Sequence, residues 1–254
     1  MNNNSRKHIS QYPRYLWFLI LAYSMTLAMS NWYDSRIVQV FGISVTPGSL
    51  VYSITYLLSN VITEVYGFKN ARKAIWTALL FNVIFILYGW LVMILPTPAT
   101  IDYDSSFDNF LATNARIVMA SFVSYLISEP VNALIIAKLK VLFKGKYLGI
   151  RFILSTLTSG VIDSILFILI AFYQVIPDSE IIKLIAHIWM VKTIVELIGL
   201  PLSIAVCKKL KKSEKLDVYD TFTDFTMFSL NSVYLETENK FGGNLNKNTS
   251  LEDK

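Results

Sequence analysis

Eight polar side chains lie inside runs of mostly apolar residues: Tyr56, Asn60, Glu64, Glu129, Asn132, Asp163, Lys192 and Glu196. Tyr56, Asn60 and Glu64 recur every four residues, with Ser49, Ser53 and Thr63 beside the same line, which makes one polar stripe on a helix. Glu129 and Asn132 are three apart, and Lys192 and Glu196 are four apart, so each pair shares a helix face. Asp163 has Thr156, Ser159 and Gly160 on its face and no obvious cation on its own helix. A carboxylate accepts two adjacent N–H donors, an amide donates and accepts, and an ammonium donates. Such a set suits a polar solute with several hydrogen-bonding edges, held away from bulk water.

The surrounding residues make these groups expensive. An ionisable side chain at the centre of a bilayer costs about 2.5–3.5 kcal/mol on the lenient insertion scale, so each needs a partner or a task. Structural readings stand beside the functional one. Lys192 and Glu196 can neutralise each other along their helix. Glu64 can reach the interface and pair with Arg72 or Lys73. Asp163 either carries function or pairs with Lys192. The Ser, Thr and Gly positions also fit close helix packing. Tyr56, Tyr125, Phe167 and Trp189 offer aromatic faces for a planar ligand.

The elements that must hold these residues follow from composition. Of 254 residues, 54% are hydrophobic and 16% charged, against about 25% charged in a soluble domain. This excludes an ordinary soluble globule and a disordered chain. The net charge of +5 does not call for nucleic acid, because lysines beside membrane spans give the same total. A single cysteine, Cys207, excludes an internal disulfide, and two histidines disfavour a metal site.

A membrane-crossing helix needs about 20 apolar residues. Six windows qualify: 15–32, 44–65, 74–95, 116–137, 152–176 and 182–207. Strands are not expected, since the runs are continuous rather than alternating. The first window has the basic flank of a signal peptide, but it reads better as a retained helix, because the loop charges alternate only if it stays. Basic residues gather at Arg6, Lys7 and Arg14, at Lys69, Arg72 and Lys73, at Lys138, Lys140, Lys144, Lys146 and Arg151, and from Lys208 to Lys215. The intervening loops carry Asp34, Asp102, Asp104, Asp108, Asp178 and Glu180. The positive-inside rule then predicts an all-α, six-helix bundle with both termini cytoplasmic. The expected divisions are a cytoplasmic N-terminus (1–14), the membrane domain (15–207), a basic segment (208–228) and a disordered polar tail (229–254). Asp163 falls roughly 18 Å along its helix from Arg151, near the midplane. Pro130 is expected to kink the fourth helix. No phosphate-binding loop or hydrolase motif is visible, so an enzyme is disfavoured and no cofactor is expected.

The stretch from Thr55 to Arg72, with Thr55-Tyr56, Ser59-Asn60, Thr63-Glu64-Val65-Tyr66-Gly67-Phe68-Lys69 and Ala71-Arg72, resembles the signature of the queuosine-precursor transporter family, also called the VUT family. Three later segments fit in order: Glu129 with Asn132 and Ala137-Lys138-Leu139-Lys140; Ser155-Thr156-Leu157 through Asp163 to Ile170-Ala171-Phe172; and Lys192 with Asp217-Val218-Tyr219-Asp220, Thr223 and Phe225. The resemblance spans residues 15–228. It implies a bacterial inner-membrane importer of 7-cyano-7-deazaguanine or 7-aminomethyl-7-deazaguanine, used to make tRNA queuosine. Three departures stand out: Asn60 where the family commonly has Asp, Pro130, and Thr226-Met227-Phe228 in place of a more usual Asn-Pro-Phe.

Asp163, Glu129 and Glu64 are then candidate acceptors, and Asn60, Asn132 and Lys192 candidate donors. Ser59-Asn60-Val61-Ile62 and Ser159-Gly160-Val161-Ile162 are similar, as an inverted repeat would require. Energy coupling stays open between a proton, facilitated diffusion and a partner ATPase, in which case the chain would be a substrate-binding subunit. Another purine-like solute, a homo-oligomer and a non-transporting assembly subunit also stay open.

Overall fold

A computed structural model describes residues 9, 13–96, 106–229, 231 and 233–242. Its long elements are α1 (Leu16–Tyr33), α2 (Pro47–Tyr66), α3 (Phe68–Ile94), α4 (Ser106–Leu142), α5 (Leu148–Phe172) and α6 (Asp178–Glu214). Four of them, α3 to α6, are long and apolar enough to cross a membrane. The windows at 15–32 and 44–65 also form helices; α1 has Ser30 and Asn31 in its last turn and α2 carries the polar stripe. α2 packs against α1, α3, α4 and α6, which leaves only a narrow face with Leu50 and Ile54 exposed.

The second window also starts too early. Val38–Val40 (β1) and Ile43–Val45 (β2) pair antiparallel, and α2 begins at Pro47, where a proline at the first turn loses no hydrogen bond. The long apolar runs are helical as expected, and this short hairpin between α1 and α2 is the one piece of strand among the described residues. The turn residues Phe41 and Gly42 both take positive φ, the backbone of a tight hairpin turn, and Phe41 is fully exposed at the tip.

The bundle is inverted relative to a soluble protein. Trp17, Leu80, Phe81, Leu87, Ile198 and Leu202 lie on the outside. Ser128, Glu129, Asn132, Ser155, Asp163 and Glu196 are buried. Lipid is the solvent that makes this arrangement stable, because apolar surface costs nothing there and polar groups must find protein partners.

Consecutive helices alternate in direction. At one end, here the basic end, the start of α1 meets the end of α6 through Tyr15 N–H and Glu214 Oε1, 2.8 Å apart. At the other, Arg116 of α4 donates to the Ile170 and Tyr173 carbonyls at the end of α5, at 2.8 and 2.7 Å. Gly48 opens α2 there against Ser30 and Asp34, and a Cβ at Gly48 would lie 2.2 Å from the Ser30 carbonyl oxygen.

Pro130 lies inside α4 and Pro201 inside α6, and both helices continue through them. At 37 residues each, α4 and α6 are far longer than the about 20 residues a bilayer requires. The basic residues after 207 thus begin as a continuation of α6 rather than as a separate segment.

The reading of a disordered tail from 229 also needs correcting. After Lys215 the chain returns across the basic end as a strap, with short 3₁₀ turns at Glu236–Glu238 and Lys240–Gly242. Tyr234 is buried, and Val218 bridges Asn239. A polar composition concealed a few anchoring aromatic and acidic side chains. Residues 243–254 lie outside the described residues.

Candidate functional site

α2 supplies the axis of the site. Its stripe points inward because its other faces meet α1 and α3, and α4, α5 and α6 bring their own polar residues to it. Asp163 and Lys192, from α5 and α6, form a buried ion pair. The same carboxylate accepts the Tyr52 hydroxyl of α2 and the Ser128 hydroxyl of α4, each at 3.2 Å. Lys192 Nζ sits 4.7 Å from the Tyr52 ring centroid, over its negative face. Tyr52 and Tyr56 meet edge to face at 5.4 Å. Of the two readings for Asp163 and Lys192, the structure has the pair across helices. Lys192 does not pair with Glu196 along its own.

One turn nearer the basic end, Asn60 Nδ2 donates to Glu196 Oε1 at 2.7 Å, and Asn132 Nδ2 donates to Asn60 Oδ1 at 2.9 Å. Ser159 Oγ approaches Asn132 Oδ1 at 3.5 Å, so the two similar segments on α2 and α5 meet on either side of Asn132. Glu129 accepts the Thr55 hydroxyl at 3.4 Å through Oε1. Glu129 Oε2, Glu196 Oε2 and the Tyr56 hydroxyl have no hydrogen-bond partner among the described residues. They are acceptor and donor valences inside the bundle that a ligand can use. Asn60 also explains itself here. An aspartate at this position would set a second carboxylate against Glu196, whereas the amide supplies the donor.

Glu64 is separate from this group. It is wholly buried at the basic end and takes Arg151 through both oxygens, at 2.5 and 3.1 Å, with Lys211 on Oε1 at 2.5 Å and Lys140 at 3.8 Å. Asp217 of the strap joins the same Lys140 and Lys211 at 2.7 Å each. The expected partners Arg72 and Lys73 do not reach it. They sit on the next helix, beyond the turn at Gly67, while the ends of α4 and α6 and the start of α5 converge on Glu64.

Tyr125 bonds the Tyr23 hydroxyl at 2.8 Å, Phe167 joins an apolar cluster with Ile117 and Ile188, and Trp189 donates to the Leu157 carbonyl at 3.3 Å. Of the aromatic candidates, Tyr56 faces the polar group. Tyr52, Ser128, Arg151, Lys211 and Asp217 are not among the candidate site residues read from the sequence. Tyr52 was within reach, since it lies four before Tyr56 on the stripe. The others are brought in by tertiary contacts across distant helices.

The strap closes over the Glu64 cluster. Asp220 accepts the Phe68 N–H at 2.9 Å and the Tyr234 hydroxyl at 2.6 Å, and Tyr234 accepts the Lys69 N–H at 2.8 Å. Burial, with Asp220 beside it, pushes the Tyr234 phenol well above its usual range, so it stays a donor. These bonds satisfy the start of α3, whose first N–H groups have no partner within the helix.

A multi-pass helical membrane protein with a charged and amide-rich interior is the class that fold and site define. The chain belongs to the family described as "Putative vitamin uptake transporter", which matches residues 46–206 and so contains all eight candidate residues. Membership places it among transporters rather than enzymes. It is also similar to a "Probable queuosine precursor transporter" of Bacillus subtilis (strain 168), 24% identical over 184 residues, which are 71% of this chain and 79% of that protein. No solved structure matches it.

Proposed function

We propose that the protein imports 7-deazaguanines, 7-cyano-7-deazaguanine or 7-aminomethyl-7-deazaguanine, across a bacterial inner membrane for tRNA queuosine salvage. The observation that carries this reading is the meeting of Asn60, Asn132, Asp163, Lys192 and Glu196, from four helices, inside a chain of an uptake family. A guanine edge carries two neighbouring N–H donors beside a carbonyl oxygen. Asp163 would exchange Lys192 for that donor pair, and the freed ammonium would donate to the carbonyl. Tyr52 and Tyr56 would supply the face for the ring. Glu129 and Glu196 each keep an oxygen open to the pyrrole N–H or to the ammonium of a 7-aminomethyl group.

In this reading all six helices span the membrane with both termini cytoplasmic, because the basic loops gather at one end. Transport is alternating access: the Glu64 cluster and the strap part to open the basic end, and the Asp34 and hairpin region parts at the other. The test is rescue. The chain is expressed in a bacterium lacking deazaguanine synthesis and its own importer, nanomolar precursor is supplied, and queuosine in tRNA is scored by gel mobility. Queuosine is the expected result. Its absence, with the protein present in the membrane, would sink the proposed substrate class.

A further inference from the structure

At the basic end one face of α3 presents Lys69, Arg72, Lys73, Trp76, Thr77 and Leu80, spaced by three and four residues. With Ser229 and Asn231 of the strap, this face lines a cavity of about 360 Å³. Its charges are unlike those around Glu64. Among the described residues no carboxylate lies within ion-pair distance of these three cations. Arg72 is buried and donates to main-chain carbonyls, those of Asp224, Thr226 and Asn231, at 3.3, 2.6 and 2.6 Å. Lys69 Nζ donates to the Val233 carbonyl at 2.8 Å and lies 4.4 Å from the Tyr234 ring centroid. Lys73 is exposed. The nearby Asp224 carboxylate turns instead to Thr226, accepting its N–H and hydroxyl at 2.9 and 2.6 Å. Among the described residues, three cations thus surround one cavity with no carboxylate paired to them, and Asp224 acts on Arg72 only at longer range.

The cavity also has a direction. Leu80 is 11 residues beyond Lys69 and about 16 Å further along the helix. Trp76 stands between them, its indole N–H bonded to the Met227 carbonyl at 2.8 Å, and Leu80 is 58% exposed on the lipid side. The lining passes from cations, through an amphipathic indole, to bare hydrocarbon. This is the order of a phospholipid from headgroup to acyl chain, and basic pockets beside spanning helices are where anionic lipids collect.

We infer that this cavity seats an anionic phospholipid of the phosphatidylglycerol class, its phosphate at Lys69, Arg72 and Lys73 and an acyl chain along Trp76, Thr77 and Leu80. A free phosphate would use only the upper part. The inference stands apart from the transported solute. The test is native mass spectrometry of the full chain released from nanodiscs with equal phosphatidylglycerol and phosphatidylcholine. The expected result is selective retention of phosphatidylglycerol, weakened about fivefold per lysine lost in Lys73→Gln, unchanged in Lys212→Gln, an exposed lysine at the end of α6. Millimolar inorganic phosphate should not displace the lipid. Equal retention of both lipids, an equal effect of Lys212→Gln, or full displacement by phosphate would overturn it. Leu80→Asn, which keeps the cations, should weaken retention as well; if it does not, the cavity is a phosphate site alone.

Discussion

Asp163 and Lys192 are each nearly inaccessible, and removing one charge of such a pair strands the other at a cost of about 3–5 kcal/mol. Lost uptake in Asp163→Asn would therefore be ambiguous taken alone. The double variant Asp163→Asn with Lys192→Gln removes both charges and should recover most of the thermal stability in detergent while uptake stays absent. Recovery of uptake together with stability would make the pair purely structural. At Asn60 the prediction concerns direction of donation. Asn60→Asp places two carboxylates together where an amide donates at 2.7 Å, which should destabilise by about 1–3 kcal/mol. Adding Glu196→Gln restores a donor from the other side and should return the melting temperature towards wild type. A double variant no more stable than Asn60→Asp would show that this hydrogen bond does not hold the two helices. These partnerships were only partly legible beforehand. Asp163, Lys192, Asn60 and Glu196 announced themselves by being polar in apolar runs, but which met which depends on helix rotation, and hydropathy leaves that open.

The junction of α2 and α3 turns on one residue. Gly67 has a φ of 81°, and a Cβ there would lie 2.4 Å from the Tyr234 hydroxyl. Gly67→Ala should cost about 1–2 kcal/mol from backbone conformation alone and should also lift the strap, read as faster proteolysis near residue 234. Unchanged proteolysis would mean the strap does not depend on that approach. Cys207, the chain's one cysteine, is buried in the core cluster that also holds Leu216 at the start of the strap, and it lies near the Glu64 group. Thiol labelling therefore reports the basic end directly. Asp217→Asn removes one of the two carboxylates that hold Lys140 and Lys211, and labelling should quicken by roughly tenfold, the effect of about 1.4 kcal/mol on the opening equilibrium. An unchanged rate would assign the opening to other contacts. The strap was hidden in the sequence because its anchors, Asp217, Asp220, Tyr234 and Glu238, are sparse in a stretch whose average composition is polar.

For the whole molecule, the proposal of six spans predicts a definite sidedness. Phe41→Cys, at the exposed hairpin tip, should react in intact cells with an impermeant thiol reagent, whereas Cys207 should react only after permeabilisation. Labelling of both from outside would overturn the assigned orientation. Alternating access adds that a deazaguanine should change the Cys207 labelling rate in reconstituted protein, since ligand shifts the balance between states that differ at the basic end. No change at saturating ligand would argue against an opening at that end.

Membrane character, the apolar helices and the alternation of basic and acidic loops were legible from sequence, because the cost of polar groups in lipid is large and local and composition records it residue by residue. The short hairpin, the docked strap, the continuity of α4 through Pro130 and the separation of Glu64 from the central site were decided by tertiary structure. Each depends on groups far apart in the chain arriving at one place. A single charge pair such as Arg151 with Glu64, or one tyrosine under a glycine, outweighs local composition there, and spacing along the sequence carries no record of it.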